Sequence, residues 1–270
     1  MSHSAGLSAL DQPADILDYE SVIRAIEIQP PLWPPGTAHG YHARTFGFLI
    51  DEIVRRITDT SISNYWRRVF ADPLLLDFWI GLPAELNSRC ATVYAAKTGK
   101  QPEPAQFYRD LATPGTLQQR SFASPHGLNA VTAMNKSEIR AHPIVSFGGI
   151  GSASAIAKFY ALLANGGKIG GRRFFTEETI GRMTTTLMDG DDRIFEIPTA
   201  FSAGLMKDAS YARRRIFGPS PRAFGHPGAG GSHVFADPEN NIAFAYVMNQ
   251  MEQTLLPNEK SLRLVDAIYR

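Results

Sequence analysis

The stretch Gly225-His226-Pro227-Gly228-Ala229-Gly230-Gly231-Ser232 sets an imidazole at the head of a backbone run that carries almost no side chains. Glycine escapes the steric limits on φ and ψ, so such a run can approach a ligand closely. At the lip of a sheet it can point bare N–H groups at an oxygen that gains charge during acyl transfer. On composition alone the same residues also describe a glycine-rich turn before a hairpin.

A second chemical element lies far upstream. Tyr41 follows the loop Pro31-Leu32-Trp33-Pro34-Pro35-Gly36-Thr37 and stands in Gly40-Tyr41-His42-Ala43-Arg44-Thr45-Phe46-Gly47. A free phenol, with a pKa of about 10, is a poor base at neutral pH and needs a neighbouring cation to become a phenolate. Tyr41 can therefore move a proton only with a partner; otherwise it packs and forms a hydrogen bond.

Helices and late strands must position these groups. Asp15 to Ile28 reads as a helix, followed by an extended proline-rich loop. Thr45 to Thr58 predicts an amphipathic helix with Phe46, Leu49, Ile50, Ile53, Val54 and Ile57 inward and Asp51, Glu52, Arg55 and Arg56 outward. A further helix is expected over Ser63 to Phe70, and a loop or loosely packed cap from Thr98 to Arg120. Ser154 to Asn165 reads as a helix stopped by Gly166-Gly167, and Thr176 caps another with Glu177 and Glu178 in its first turn. Strands are expected near Phe201 to Met206, Ser232 to Ala236 and Ile242 to Asn249. The last is apolar on both faces through Met248, as in a strand covered by helices. Helices followed by a late antiparallel sheet predict an α+β fold.

The Gly-rich stretch, the turn Asp237-Pro238-Glu239-Asn240-Asn241 and the following strand together resemble the His-x-Gly element of the β-lactamase-related serine hydrolases. That group includes class C β-lactamases, penicillin-binding proteins and family VIII-like carboxylesterases. The Tyr41 segment and the helix bearing Arg55-Arg56 resemble the esterase-like form of its tyrosine element. Asp72-Pro73-Leu74 to Asp77-Phe78-Trp79-Ile80-Gly81-Leu82-Pro83, and Gly148-Gly149-Ile150-Gly151-Ser152-Ala153 before a helix, fit the same family in the same order. The resemblance runs from about Ser2 to the C-terminus. It implies one β-lactamase/DD-peptidase-like domain over 1–270, with Tyr41, His226, Gly228 and Ala229 as site residues and Asn249 in a structural place.

Members of this family carry their nucleophile in Ser-x-x-Lys, where the i and i+3 positions share a helix face. No Ser-x-x-Lys occurs in the 270 residues: Ser154 stands four before Lys158, while Ser137 and Ser210 are followed at i+3 by Arg140 and Arg213. Arginine stays protonated and cannot serve as base. Met1-Ser2-His3-Ser4-Ala5-Gly6-Leu7 resembles the Ser-His-x-x-Gly-Leu turn that follows the nucleophile helix. By that alignment the serine, its lysine and the first strands fall upstream of Met1, and the domain is incomplete. Two functions stay open: a carboxylesterase-like hydrolase of small esters or amides using an upstream serine, or a catalytically inactive binding or scaffolding protein.

Composition bounds the partners. A formal charge of +1 gives no bulk attraction to nucleic acid, and the arginine pairs together with Arg213-Arg214-Arg215 read as solvated faces. The single cysteine, Cys90, allows no internal disulfide. No eighteen-residue apolar run or secretory leader is present, so a cytoplasmic protein without a membrane span is expected. Lys97-Thr98-Gly99 copies a triplet of the family without an apolar strand after it. Val145 to Gly151 mimics a dinucleotide fingerprint broken at Ser154. His39, His42, His126, His142, His226 and His233 show no metal spacing and read mostly as ordinary polar residues. No cofactor and no metal are expected. Without its first strands the sheet would keep an open edge, which invites self-association.

Overall fold

The computed structural model describes residues 1–97 and 104–270. In its first half run α1 (Tyr19–Ile28), α2 (Thr45–Thr58), α3 (Ile62–Trp66), β1 (Phe78–Ile80), α4 (Ala105–Ala112), α5 (Leu117–Ala123), α6 (Ser137–Ala141) and β2 (Gly149–Gly151). Then follow α7 (Ala153–Ala164), β3 (Lys168–Ile169), β4 (Arg172–Arg173), α8 (Glu177–Thr184), β5 (Met188–Asp191), β6 (Pro198–Phe201), β7 (Met206–Lys207), β8 (Phe224–Pro227), β9 (His233–Asp237), β10 (Ile242–Tyr246) and α9 (Glu259–Ile268). The fold is α+β.

The main sheet is antiparallel, in the order β10-β9-β8-β7-β6-β5. Alternation along β9 decides its two faces. Phe235 packs with Phe217 and with Leu262 and Val265 of α9, while Val234 and Ala236 pack with Tyr160 and Leu163 of α7. At roughly 1.5–3 kcal/mol for each fully buried large apolar side chain, this two-sided burial holds the centre of the sheet. The register Phe235↔Phe244 and His226↔Val234 follows from it. Asp237 Oδ1 accepts from the Glu239 and Asn240 N–H groups and closes the β9–β10 hairpin.

Several expectations shift. The first helix begins at Tyr19 rather than Asp15, because the Asp18 side chain caps it by accepting from Ser21 N–H. The helix expected over Ser63 to Phe70 is α3, capped by Ser61 and continued as a π-helical turn over Arg67–Ala71. The stretch expected to be loop after Thr98 forms α4 and α5, anchored by the buried Phe107.

The face of α2 is the main correction. Its buried residues are Thr45, Gly47, Phe48 and Asp51. Phe48 joins Val22, Ile23 and Ile26 of α1. Asp51, expected outside, is 4% exposed because its carboxylate accepts from Ile62 N–H at 2.6 Å and pairs with Arg55 at 2.8 Å. Ile53 and Ile57, expected inside, are 52% and 76% exposed.

The last strand is also less covered than its composition suggested. It forms one end of the sheet, and every residue of β10 is only half-buried. Ala243 and Ala245 lean on the α7 cluster, Ile242 and Phe244 on the α9 cluster. No helix among the described residues is long and apolar enough to cross a membrane.

Candidate active site

Tyr41 lies in a loop laced onto the N-terminal segment. The Leu32, Gly36 and Gly40 N–H groups donate to the carbonyls of Gly6, Ser4 and His3. Trp33 is buried and donates from Nε1 to Ala38 O at 3.0 Å. His42 fastens the other end: Nε2 accepts from Leu7 N–H at 3.0 Å, and Nδ1 lies 2.7 Å from Gly40 O. An imidazole that accepts at Nε2 and donates at Nδ1 is neutral in one assigned tautomer. Burial agrees, lowering the His42 pKa to about 4 against the opposing pull of the Gly40 carbonyl.

The Tyr41 ring is half-buried and stacks on Phe195 with centroids 4.6 Å apart. His3 approaches it at 4.7 Å and His226 at 5.8 Å. Among the described residues the phenol hydroxyl has no hydrogen-bond partner, while the Tyr41 backbone N–H donates to Asp192 Oδ1 at 3.1 Å. Burial first and the Asp192 charge second push the phenol up to about 12. At neutral pH it is a hydroxyl, a donor rather than a base.

His226 ends β8 with its ring toward Tyr41. Its Nδ1 lies 2.7 Å from Pro227 O, which assigns the proton to Nδ1 and leaves Nε2 as an acceptor. Burial lowers its pKa, and the Pro227 carbonyl opposes that shift. The acceptor can take a hydrogen bond from a hydroxyl or amine; it cannot donate to a carbonyl oxygen.

The turn after β8 sorts its amides. Gly228 N–H donates to Ser232 O at 2.7 Å and Gly231 N–H to Gly228 O at 3.1 Å. The Gly228 amide is thus committed to the turn. Ala229 is exposed, and among the described residues its N–H has no acceptor. Gly231 holds φ at +121°, and a Cβ there would fall 2.3 Å from Asn258 Nδ2, so only glycine fits.

The structure thus brings Tyr41, His226 and the Ala229 turn to one wall and adds residues that the sequence reading passed over. His3, His39, His42 and His233 are all buried rather than ordinary surface polar groups. Asp192, in the turn after β5, is 1% exposed and tied to the Tyr41 loop. Its signal was local: an aspartate whose Oδ1 accepts from the N–H groups two and three residues on, Ile194 and Phe195, is an Asx turn. Other motifs stay apart from this wall. Gly149–Gly151 is β2, paired with β1, and a Cβ on Gly149 or Gly151 would strike the Phe78 ring at 2.6 Å. Arg214 pairs with Glu259 and Asp266 of α9. Thr98 and Gly99 lie outside the described residues. No set of three or more His, Cys, Asp or Glu side chains able to hold a metal ion occurs among the described residues.

Residues 1–267 match the family described as Beta-lactamase. The chain is 30% identical over 262 residues to the esterase/beta-lactamase LipL of Mycobacterium tuberculosis (strain ATCC 25618 / H37Rv), a match over 95% of this chain and 59% of that protein. It thus spans about three-fifths of the length of that relative. Among solved structures, it superposes on a penicillin-binding protein homolog from Caulobacter crescentus with a TM-score of 0.83 at 31% identity, covering 99% of this chain and 69% of that one. A family VIII carboxylesterase gives 0.85 at 29% identity, covering 100% and 69%. EstA from Arthrobacter nitroguajacolicus Rue61a gives 0.84 at 30% identity, covering 99% and 69%. The chain belongs to the Beta-lactamase family.

Proposed function

We propose that 1–270 is one domain carrying the tyrosine and histidine wall of a serine-hydrolase site for small esters or amides, esters first. The serine–lysine pair would come from residues outside these 270. The observation that carries this reading is a set of unused groups side by side: the Tyr41 hydroxyl, the acceptor Nε2 of His226 at 5.8 Å between rings, and the free N–H of Ala229 at the end of the same strand. The names of the mycobacterial relative and of the carboxylesterase neighbour support esters as substrates. The uncovered apolar stripe of α2 and the open edge of β10 support a further segment packed against this chain.

In this scheme the serine Oγ attacks the substrate carbonyl and loses its proton toward the lysine–tyrosine pair. The tetrahedral oxyanion accepts from Ala229 N–H. The C–O or C–N bond breaks, the departing alcohol or amine takes up the proton, and an acyl-serine remains. Water then attacks the acyl carbon, releasing the acid and restoring the serine. Tyr41 alone, with its phenol near 12, cannot start the sequence; a lysine ammonium must first favour the phenolate.

The second reading is a binding or scaffolding protein that keeps the cleft without turnover, favoured by the absence of Ser-x-x-Lys in the sequence. Fluorophosphonate labelling of the polypeptide isolated from its source, followed by mass mapping, separates the two. A labelled serine in a Ser-x-x-Lys supports the hydrolase, and Tyr41→Phe should then slow p-nitrophenyl ester hydrolysis about 100-fold or more. An unlabelled polypeptide with no such serine supports the binding protein.

A further inference from the structure

Asp192 has no local reason to be as buried as it is. A carboxylate taken from water must be compensated by donors or a cation. Among the described residues its side chain takes hydrogen bonds from the N–H groups of Ile194 at 2.8 Å, Phe195 at 2.9 Å and Tyr41 at 3.1 Å, and from the Thr199 hydroxyl at 3.1 Å. The first two belong to its own turn. The other two reach beyond it. Tyr41 lies 151 positions away in sequence, and Thr199 sits on β6.

Thr199 continues the chain. Its hydroxyl proton points at Asp192, so its oxygen accepts, and His39 Nε2 lies 2.8 Å away. That assigns the His39 proton to Nε2. The His39 carbonyl in turn accepts from Arg193 N–H at 3.0 Å. The turn after β5 therefore holds the tyrosine loop at the His39 carbonyl and the Tyr41 amide, and Thr199 of β6 holds it at the His39 ring. The ionisable groups packed against the Tyr41 ring are His3 and His226, both driven toward the neutral form by burial. His39 and His42 flank it in its own loop, and Asp192 brings the negative charge.

We propose that Asp192, coupled through Thr199 to His39, is the positioning residue of Tyr41: it clamps the tyrosine main chain and sets a negative field on the phenol. This rests on the reading of Tyr41 as a site residue. Its consequence is a tyrosine fixed in place whose phenol, disfavoured as an anion by burial first and by Asp192 second, needs a substrate or protein cation to become a phenolate. The loop is thereby locked in place without arming it.

The test uses the 270-residue chain with tyrosines labelled with carbon-13 at Cζ and the Tyr41 signal assigned by its loss in Tyr41→Phe. Asp192→Asn keeps an amide oxygen for the three N–H donors and removes the charge. The Tyr41 titration midpoint should fall by roughly half a unit to one unit, with the thermal midpoint nearly kept. Thr199→Val should move the nitrogen-15 shifts of the His39 ring and the Tyr41 amide proton. It carries the test alone should Asp192→Asn fail to fold. A Tyr41 midpoint unmoved in a folded Asp192→Asn, or a His39 ring and Tyr41 amide unmoved in Thr199→Val, overturns the proposal. Neither readout needs turnover, so a chain without hydrolase activity still tests the positioning role.

Discussion

Two regions of this molecule treat their chemistry in opposite ways. Around Tyr41, loops with no regular structure are buried and cross-bonded by His42, His39 and Asp192. On the open flanks of α2 and of β10, regular elements of strongly apolar sequence stay half-open, with Ile57 76% exposed and the β10 edge unpaired among the described residues. A monomer ordinarily does the reverse, leaving loops outside and covering apolar stripes. The contrast teaches that the wall is held by its own cross-links, whereas α2 and β10 leave apolar surface open.

The largest effect should come from breaking the wall where backbones touch. A Cβ on Gly225 would lie 2.1 Å from Val234 O, so Gly225→Val should remove about 3 kcal/mol or more of stability in urea unfolding. A loss under about 1 kcal/mol would show that β8 and β9 can part freely and that the wall is not rigid.

Acid should come next. Burial depresses both His42 and His233 to about 4, below an unfolded value near 6.5. As pH falls through 6.5 the unfolded chain binds protons first, so stability is full above 6.5 and is lost progressively down to about 4. Each group contributes up to about 3 kcal/mol to that loss. Among the described residues His233 has no partner for either ring nitrogen, while protonating His42 breaks the Leu7 bond. Unfolding midpoints that do not change between pH 7 and pH 4.5 would contradict the neutral burial of both rings.

The smallest effect on stability belongs to the flank, where the comparison is sharpest. Ile57→Gln and Val247→Lys, at positions 76% and 44% exposed, should each change unfolding free energy by less than about 0.5 kcal/mol. If the open edge of β10 pairs with a second copy, sedimentation velocity should show the lysine variant more monomeric, since a lysine blunts a sheet edge. A cost for Ile57→Gln near the 2 kcal/mol of a core truncation would mean that α2 is covered after all.

Much of the wall was legible because its signals are local. Pro31 to Gly36 dictates an extended loop, the glycines after His226 dictate a tight turn, and Asp237 closes the hairpin through its own neighbours. The face of α2 was misread for a nonlocal reason. Apolar periodicity names the stripe that seeks cover, and here Phe48 meets α1 while Asp51 binds the start of α3. Asp192 was missed because the donor that ties it to the site, Tyr41 N–H, lies 151 positions away. His42 and His233 were misjudged because burial, which residue type does not reveal, drives their rings toward the neutral form.

The sequence by itself determined the α+β class, the order of the family elements, the Tyr41 loop and the Gly-rich turn. Each of these depends on steric and hydrogen-bonding rules acting over a few residues. Only the tertiary structure decided which amide of that turn is free, which tautomer His226 holds, and that Asp192 grips Tyr41. The first two depend on the exact dihedral angles of a short turn and the third on a contact 151 positions apart, and hydrogen-bond direction and charge act over ångströms in space rather than positions in sequence.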